Sequence, residues 1–360
     1  MFVPIVSNFF RKIFGTRNDR LIKAYISRAA LVNEFEPQMR KLTDAELRAK
    51  TEEFRQRIES GTPAADIRPE ALAVAREVMD RAVGIRNIFN PDHNFDTSKL
   101  PDAARKLYDE TTEKVKATEP LDVRGCNQYD KLVHNWDPVP PRLLVDVPNA
   151  LYEAVRELYP KSRPPFRARP FDVQLIGGMV LSEGKISEMK TGEGKTIVAP
   201  LACYLASLEK LQCHVVTVND YLVQRDRDWV FPFYYWLGLT VGAIHPYHMQ
   251  PPQLKAEAYS CDVLYGTCSE FGFDYLRDNM KLSVEEQFQK HRDFAIVDEV
   301  DSILIDEART PLIISGPADQ NPHKYADADR IARQLKKGEH FEVKEKEHTC
   351  HLTDEGVRTA

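Results

Sequence analysis

Apolar residues recur at helical spacing through the first part of the chain. Residues 18–86 carry them three or four positions apart, a pattern that predicts a series of amphipathic helices. Thr43 and Glu46 have the spacing of a capping box, in which two side chains satisfy backbone N–H groups at the start of a helix. Gly61 marks the end of that helix, and a further helix is predicted over residues 69–83.

Residues 87–165 have a different character. They hold 10 of the 23 prolines of the chain. Because proline interrupts both helices and strands, this stretch is interpreted as an irregular insertion with short helices near residues 103–117 and 149–158. Its residues suggest no chemistry, so its role stays open.

Short apolar runs alternate with helical stretches from Phe171 onward. Apolar runs of this length, separated by amphipathic helices, predict an α/β fold with a parallel sheet and helices on both faces. The predicted strands are residues 185–189, 214–218, 239–244, 262–267, 294–299 and 311–316. After residue 316 the chain becomes polar and charged, and residues 340–356 could begin an antiparallel piece.

The strongest local signal is the loop at residues 189–196. A strand predicted over Ile186–Met189 leads into it, and a helix is predicted from Lys195 onward, which is the context of a phosphate-binding loop. Met189 stands where the usual pattern has its first glycine. A glycine-rich turn without a ligand is therefore the alternative interpretation.

The residue types of this loop suit a nucleotide phosphate. Gly192 and Gly194 allow backbone N–H groups to turn toward phosphate oxygens at the start of a helix. Lys195 can reach the β- and γ-phosphates, and Thr196 can offer its hydroxyl to Mg²⁺.

Two adjacent carboxylates, Asp298 and Glu299, follow the apolar residues 294–297. Asp298 is expected to hold Mg²⁺ through water, and Glu299 to orient and polarise the attacking water. Acidic loops are common, so the pair alone could be a loop without a function. However, open parallel sheets bind ligands at the carboxyl ends of their strands, and both the glycine loop and the acidic pair follow predicted strands. A third candidate is Gln174, whose amide suits the edge of adenine, although a glutamine without a role is the commoner case.

Composition narrows the function classes. A net charge of −6 provides no global basic field and so weakens a nucleic-acid interpretation. No stretch reaches the roughly 20 apolar residues that span a bilayer. The six cysteines lack zinc-like spacing and are interpreted as reduced, mostly buried thiols.

Longer strings resemble one family. Gln174, the loop and the acidic pair, in this order, are similar to superfamily-two ATPases, the group that includes DEAD-box helicases. Four longer stretches resemble the motor-domain motifs of the SecA family of translocase ATPases, and two resemble its N-terminal helices. The motor stretches are residues 171–196, 214–226, 270–280 and 297–317, and the helical ones are residues 14–20 and 41–55.

This resemblance implies a RecA-like motor domain that uses ATP and Mg²⁺. The implied nucleotide-binding residues are Gln174, Gly192, Glu193, Gly194, Lys195 and Thr196. The implied catalytic residues are Lys195, Asp298 and Glu299, with Thr196 and Asp298 at the metal. The implied organisation is N-terminal helices at 1–86, the insertion at 87–165, the first motor domain at 166–316 and the start of a preprotein-binding domain at 317–360.

The family also implies partners and a place in the cell. The expected partners are a SecY-type membrane channel, unfolded preproteins and an anionic lipid surface, with no nucleic acid, and a homodimer is compatible. The protein is expected in the cytoplasm and peripherally on the cytoplasmic face of the bacterial inner membrane. The second motor domain is absent from these 360 residues, so the chain alone is expected to bind ATP with little turnover. The rival interpretations are an RNA helicase and a nucleotide-binding protein without turnover.

The N-terminal segment predicts affinity for anionic membranes. Residues 1–23 hold five basic side chains against one acidic one. Five apolar residues would share one helical face, namely Ile5, Val6, Phe9, Phe10 and Ile13. Each cation near an anionic surface contributes about 1 kcal/mol, so a peptide of residues 1–25 should co-sediment with vesicles only when they contain anionic lipid. Binding that ignores lipid charge would indicate instead that these residues pack on the protein body.

Overall fold

The computed structural model describes residues 16–121, 138–246, 248–315, 322–344 and 349–360. The predicted membrane-binding face of residues 5–13 lies outside this part of the chain, as does Cys126. The chain divides into two compact units, one up to Leu312 and one from Ile313 onward. The finer boundaries at residues 86 and 165 remain predictions.

The first unit begins with three helices, α1 (Arg17–Met39), α2 (Asp44–Glu59) and α3 (Ala64–Val78). The predicted capping box is present, since Thr43 and Glu46 each accept a hydrogen bond from the other's backbone N–H at the start of α2. A π-helical turn, Met79–Gly84, continues α3. Gly84 permits a close approach here, because a Cβ at that position would lie 2.5 Å from the backbone nitrogen of Ala168.

The proline-rich segment contains the two short helices that were predicted, α4 (Asp102–Ala117) and α5 (Asn149–Leu158). Together with residues just outside them, these helices build a second, small apolar core. Its buried members are Ile85, Ile88, Leu100, Ala104, Val147, Leu151, Tyr152 and Val155.

A four-stranded sheet forms the centre of the unit. Its strands are β1 (Cys213–Thr217), β2 (Val241–Ile244), β3 (Val263–Thr267) and β4 (Phe294–Val297). All pairs are parallel, in the order β2-β3-β1-β4. The flanking helices are α6 (Asp172–Ser182), α7 (Val198–Leu208), α8 (Asp220–Trp236), α9 (Pro252–Tyr259) and α10 (Cys268–Asn279). The predicted RecA-like α/β class is confirmed.

Two strand predictions were wrong. Residues 185–190 and 311–315 belong to no helix or strand, and they pair with no strand in the described part of the chain. Ile186 and Ile313 are 83% and 70% exposed. An apolar run favours an extended backbone, but a strand also needs a neighbour that completes its hydrogen bonds, and the sequence pattern does not reveal that neighbour.

The second unit contains α11 (Pro322–Ala332), an antiparallel hairpin of β5 (Phe341–Lys344) and β6 (Thr349–Leu352), and α12 (Asp354–Thr359). The hairpin confirms the antiparallel piece predicted over residues 340–356. Across the described parts of both units, no helix is both long and apolar enough to cross a membrane. The five described cysteines are free thiols.

Buried charges join the first helices to the proline-rich segment. Asp44, at the start of α2, is almost completely buried. Its carboxylate accepts hydrogen bonds from the guanidinium groups of Arg81, at 2.9 Å, and Arg86, which are themselves buried. It also accepts the backbone N–H of Val147 at 2.8 Å and the hydroxyl of Tyr152 at 3.1 Å. One carboxylate therefore connects segments that are about a hundred residues apart in sequence.

Replacing Asp44 with Asn should destabilise the first unit strongly. The amide keeps the shape but removes the charge that two buried arginines require, and breaking such a pair costs about 3–5 kcal/mol. The control is Asp109→Asn on the exposed face of α4, which should change the free energy of unfolding by no more than about 0.5 kcal/mol. Urea unfolding followed by circular dichroism measures both, and equal midpoints for the two variants would contradict this account of the network.

Candidate functional site

The loop at residues 189–196 turns by means of two glycines. Gly192 and Gly194 have φ angles of +90° and +76°, a region that other residues rarely adopt. The chain then forms a 3₁₀ turn, Lys195–Ile197, before α7 begins at Val198. The predicted helix after the loop is therefore present, although its first turn is tighter than an α-helix.

An open cavity of about 530 Å³ lies beside this loop. Cavities of this size accommodate small-molecule ligands such as nucleotides. One wall is the loop itself, together with Gln174. The remaining lining comes from the end of the proline-rich segment, the residues before α6, and α8, namely Ser162, Pro164, Arg167, Ala168, Arg169, Phe171, Arg225, Asp226 and Trp229.

Gln174 lies between the cavity and the loop, and it is only 3% exposed. Its amide oxygen accepts the backbone N–H of Phe171 at 2.8 Å. Its amide nitrogen donates to the carbonyl oxygens of Glu193 and Gly194, at 2.8 and 3.3 Å. A side chain on Gly194 would collide with this amide, since its Cβ would lie 2.6 Å from the Gln174 nitrogen. Gln174 thus holds the loop, and its contact with adenine remains a prediction.

The acidic pair meets the loop at the carboxyl end of β4, as predicted. The backbone N–H of Asp298 still donates to the sheet, to the carbonyl of Val216 at 2.8 Å. Glu299 then adopts a φ of +51°, which is unusual for a residue with a side chain. This turn brings its carboxylate to 3.3 Å from Nζ of Lys195. Both side chains are partly exposed, so this ion pair is weak and open to exchange.

Asp298 lies in a more enclosed place. It lines a cavity of about 80 Å³ together with Lys195, Thr196, Thr217 and Asp226. Burial raises the pKa of Asp298, the hydrogen bond from the backbone N–H of Glu299 opposes this, and the charge of Glu299 raises it further. A cation next to Asp298 would stabilise its ionised carboxylate and so oppose this rise in pKa.

The residues present suit Mg²⁺ bound together with a nucleotide. No group of three His, Cys, Asp or Glu side chains that could hold a metal occurs among the described residues. Mg²⁺ does not require one, because it commonly uses one or two protein oxygens and takes the rest from phosphates and water. Thr196 and Asp298, which share one small cavity, match that donor set.

Sequence reasoning missed a large part of the cavity wall. Ser162 and Pro164 belong to the proline-rich segment, to which no chemistry could be assigned. Arg225 and Asp226 end a motif that resembles the SecA family, and Trp229 follows it, but nothing local indicated that α8 faces the loop. Arg169 lies in the segment just before Gln174, but no pattern in the sequence assigned it a role.

A glycine loop at the start of a helix, facing carboxylates at the end of a parallel strand, defines the class of P-loop nucleotide-binding domains. The particular family follows from comparison with known proteins. The family model of the SecA DEAD-like domain matches residues 10–90 and 105–359, and the chain belongs to this family. Only residues 91–104 interrupt the match, so most of the segment interpreted as an insertion is within it.

Individual relatives agree with this family. The protein translocase subunit SecA of Syntrophobacter fumaroxidans is 41% identical over 353 residues, which cover 98% of this chain and 32% of that protein. The subunit of the same name from Pseudomonas syringae pv. syringae is 39% identical over 367 residues, 99% of this chain and 30% of the relative. The SecA subunit of Syntrophus aciditrophicus is 40% identical over 351 residues, which cover 98% of this chain and 32% of that protein. The chain thus spans about a third of the length of these relatives.

Replacing Asp298 with Asn should stabilise the ligand-free protein. The raised pKa means that the folded state disfavours the ionised carboxylate, so at neutral pH the charge costs stability. We expect the free energy of unfolding to rise by about 1 kcal/mol, a common size for stabilising substitutions at functional sites. The gain should disappear as the pH falls below the ordinary aspartate value of 3.8, where both states are protonated.

The matched control for this prediction is Asp301→Asn, one turn further on and exposed, which should leave stability unchanged. Thermal unfolding at pH values from about 2.5 to 8 makes the comparison. A destabilised Asp298→Asn protein, or a gain that does not depend on pH, would show that the environment of Asp298 is not the one described.

Proposed function

We propose that this chain binds ATP with Mg²⁺ and forms the nucleotide-binding part of a motor that moves preproteins across a membrane. The observation that carries the proposal is the meeting of the glycine loop with the carboxyl end of β4, where Lys195 lies 3.3 Å from Glu299. Membership of the SecA DEAD-like family supports the same assignment.

In this proposal, each part of the nucleotide has its own contacts in the site. The loop N–H groups at Gly192, Glu193 and Gly194, with the ammonium group of Lys195, would bind the phosphates. The hydroxyl of Thr196 and the carboxylate of Asp298 would hold Mg²⁺, which supplies charge neutralisation at the phosphates when bound. The cavity on the Gln174 side of the loop would then receive the nucleoside.

The ion pair between Lys195 and Glu299 suggests how binding prepares hydrolysis. A phosphate oxygen that pairs with Lys195 would replace the Glu299 carboxylate as its partner. Glu299 would then be free to accept a hydrogen bond from the attacking water and to orient it toward the phosphate. Its positive φ already aims the carboxylate at the loop.

The partners belong to the same proposal. The relatives carry the name protein translocase subunit SecA. We propose that the substrate of this protein is an unfolded preprotein and that its membrane partner is a SecY-type channel. We place the protein in the cytoplasm and on the cytoplasmic membrane surface, where an anionic lipid surface would attract the basic N-terminal residues. A homodimer is compatible with this arrangement.

The isolated chain is proposed to turn ATP over slowly. Its site provides one wall of a nucleotide-binding cleft, with a lysine and carboxylates. In related phosphate chemistry the opposite wall supplies arginine side chains, which raise the rate about 10³–10⁵-fold. The chain spans about a third of the length of its relatives, 32% in the first comparison, and the remainder would supply that wall.

Nucleotide binding is tested by the Lys195→Ala variant of the 360-residue chain. Mg-ADP at about 100 times its dissociation constant should stabilise the wild type by about 2.7 kcal/mol. Lys195→Ala should lose most of this gain, because it removes a charged phosphate contact. The control is Lys106→Ala, exposed on α4, which should respond like the wild type. Thermal melts in which all three proteins respond equally to nucleotide would refute the assignment.

Turnover is tested by comparing the isolated chain with a full-length protein. The isolated chain should release phosphate at a background rate, and the full-length protein should be active. In the full-length protein, Glu299→Gln should bind ATP normally but lose about 10²–10⁴-fold in rate, the typical contribution of a positioned base. Glu286→Gln, a solvent-exposed carboxylate, serves as the control. Robust turnover by the isolated chain, abolished by Glu299→Gln, would show that the second wall is dispensable.

A further inference from the structure

Helix α1 reaches the cavity through a pair of opposite charges. Glu36 of α1 is buried, and its two carboxylate oxygens accept hydrogen bonds from Nε and Nη2 of Arg169, both at 2.6 Å. This two-point contact fixes the plane of the guanidinium group. Arg169 and Gln174 both line the cavity. A residue far upstream in the chain thus orients part of the cavity wall.

A second arginine strengthens this contact from α3. Arg76 is fully buried, and it donates to Glu36 at 3.1 Å and to the carbonyl of Pro170 at 3.0 Å. It also donates to the carboxylate of Asp172 at 2.5 Å, and that carboxylate accepts a further bond from Asn33 of α1 at 3.2 Å. Residues 169, 170 and 172 are therefore all held by α1 and α3.

This segment leads directly into Gln174. The backbone N–H of Phe171 donates to the Gln174 amide oxygen at 2.8 Å, and the Gln174 amide nitrogen donates to the loop carbonyl of Glu193 at 2.8 Å. The contacts run without interruption from α1 to the phosphate loop. A change at Glu36 would therefore alter the cavity wall directly at Arg169, and would reach the phosphate loop only through Phe171 and Gln174.

Arg169 keeps part of its hydrogen-bonding capacity. Nε and Nη2 are used by Glu36, whereas Nη1 donates to no group within the described ranges. The side chain is 28% exposed, and Arg169 lines a cavity that has room for a ligand. A planar guanidinium held in this way can stack on a base or donate to a ribose oxygen.

We propose that Arg169 binds the nucleoside half of the nucleotide and that Glu36 of α1 is the residue that positions it. The proposal rests on the proposed function, because it assumes that the cavity receives a nucleotide. It assigns α1 a role in recognition of the base and ribose, separate from the phosphate contacts of the loop.

The charge state of Glu36 agrees with this role. Burial raises its pKa, but the hydrogen bonds from Arg169 and the positive charges of Arg169, Arg76 and Arg40 outweigh that effect and lower it. The carboxylate is therefore ionised at neutral pH, as the two-point contact requires.

The experiment compares Mg-ADP with magnesium pyrophosphate, which lacks the nucleoside. Dissociation constants of the 360-residue chain for both are measured by calorimetry for the wild type, Glu36→Gln, Arg169→Gln and the double variant. Each single variant should weaken ADP binding about tenfold, the effect of losing one good polar contact. Pyrophosphate binding should change less than about twofold. The double variant should be little worse than either single one, since both remove the same interaction.

Controls separate this role from a merely structural one. Glu34→Gln, on an exposed position of α1, should bind both ligands like the wild type. Arg169→Lys keeps the charge but not the planar fork, and it should give an intermediate loss for ADP alone; this variant carries the test if Glu36→Gln fails to fold. The proposal is overturned if Arg169→Gln leaves ADP binding unchanged, or if ADP and pyrophosphate weaken in parallel.

The proposed function fails in a distinguishable way. If the wild type binds neither ligand, or if Lys195→Ala weakens neither, the nucleotide assignment falls and this inference falls with it. If Lys195→Ala weakens both ligands while the Arg169 and Glu36 variants keep the ratio of ADP to pyrophosphate affinity at its wild-type value, only the present inference is wrong.

Discussion

Buried arginines are the constraint on which the rest of the first unit depends. Arg76, Arg81 and Arg86 are at most 1% exposed, and an unpaired charge at such a position would cost several kcal/mol. Each therefore has to find its partners wherever the chain places them. Those partners lie on α1, at the start of α2 and in the segments on either side of α5, so folding that satisfies the arginines also brings these segments together.

The buried arginines and their partners form a rigid frame beside the phosphate loop, and the loop itself can respond to a ligand. The frame ends at residues 169–172, which Arg76 and Glu36 hold by bonds of 2.5–3.1 Å. Among the described residues, the loop is joined to its surroundings by hydrogen bonds from the Gln174 amide and by the partly exposed ion pair of Lys195 and Glu299. A phosphate can replace such contacts at little cost, whereas it could not displace the buried network. The loop would therefore supply the contacts that bind the phosphates, and the buried network would fix the orientation of the cavity wall.

The sequence predicted well what depends on local chemistry. The capping box at Thr43 and Glu46, the helices predicted near 103–117 and 149–158, and the positive-φ glycines of the loop all follow from neighbouring residues. It also predicted that Asp298 and Glu299 would meet the loop, because parallel strands end at one edge of a sheet. The first three features needed no knowledge of distant contacts, and the last one needed only the general geometry of a parallel sheet.

What the sequence did not reveal depends on partners far away in the chain. The runs at 185–189 and 311–316 were predicted as strands, but neither has a neighbouring strand within the described ranges. The contact of Glu36 with Arg169 joins residues 133 positions apart, and no periodic pattern in the sequence indicates it. The use of the proline-rich segment as a wall of the cavity was hidden for the same reason.

A crystal structure of the chain with Mg-ADP would show whether a phosphate takes the place of Glu299 beside Lys195. We expect the phosphates to lie against the backbone N–H groups of residues 192–196, Lys195 Nζ to contact a phosphate oxygen, and its 3.3 Å contact with Glu299 to be broken. The base and ribose should occupy the cavity beside Gln174 and Arg169. A nucleotide bound elsewhere, or bound here with the Lys195–Glu299 pair intact and no phosphate at the loop, would contradict the account.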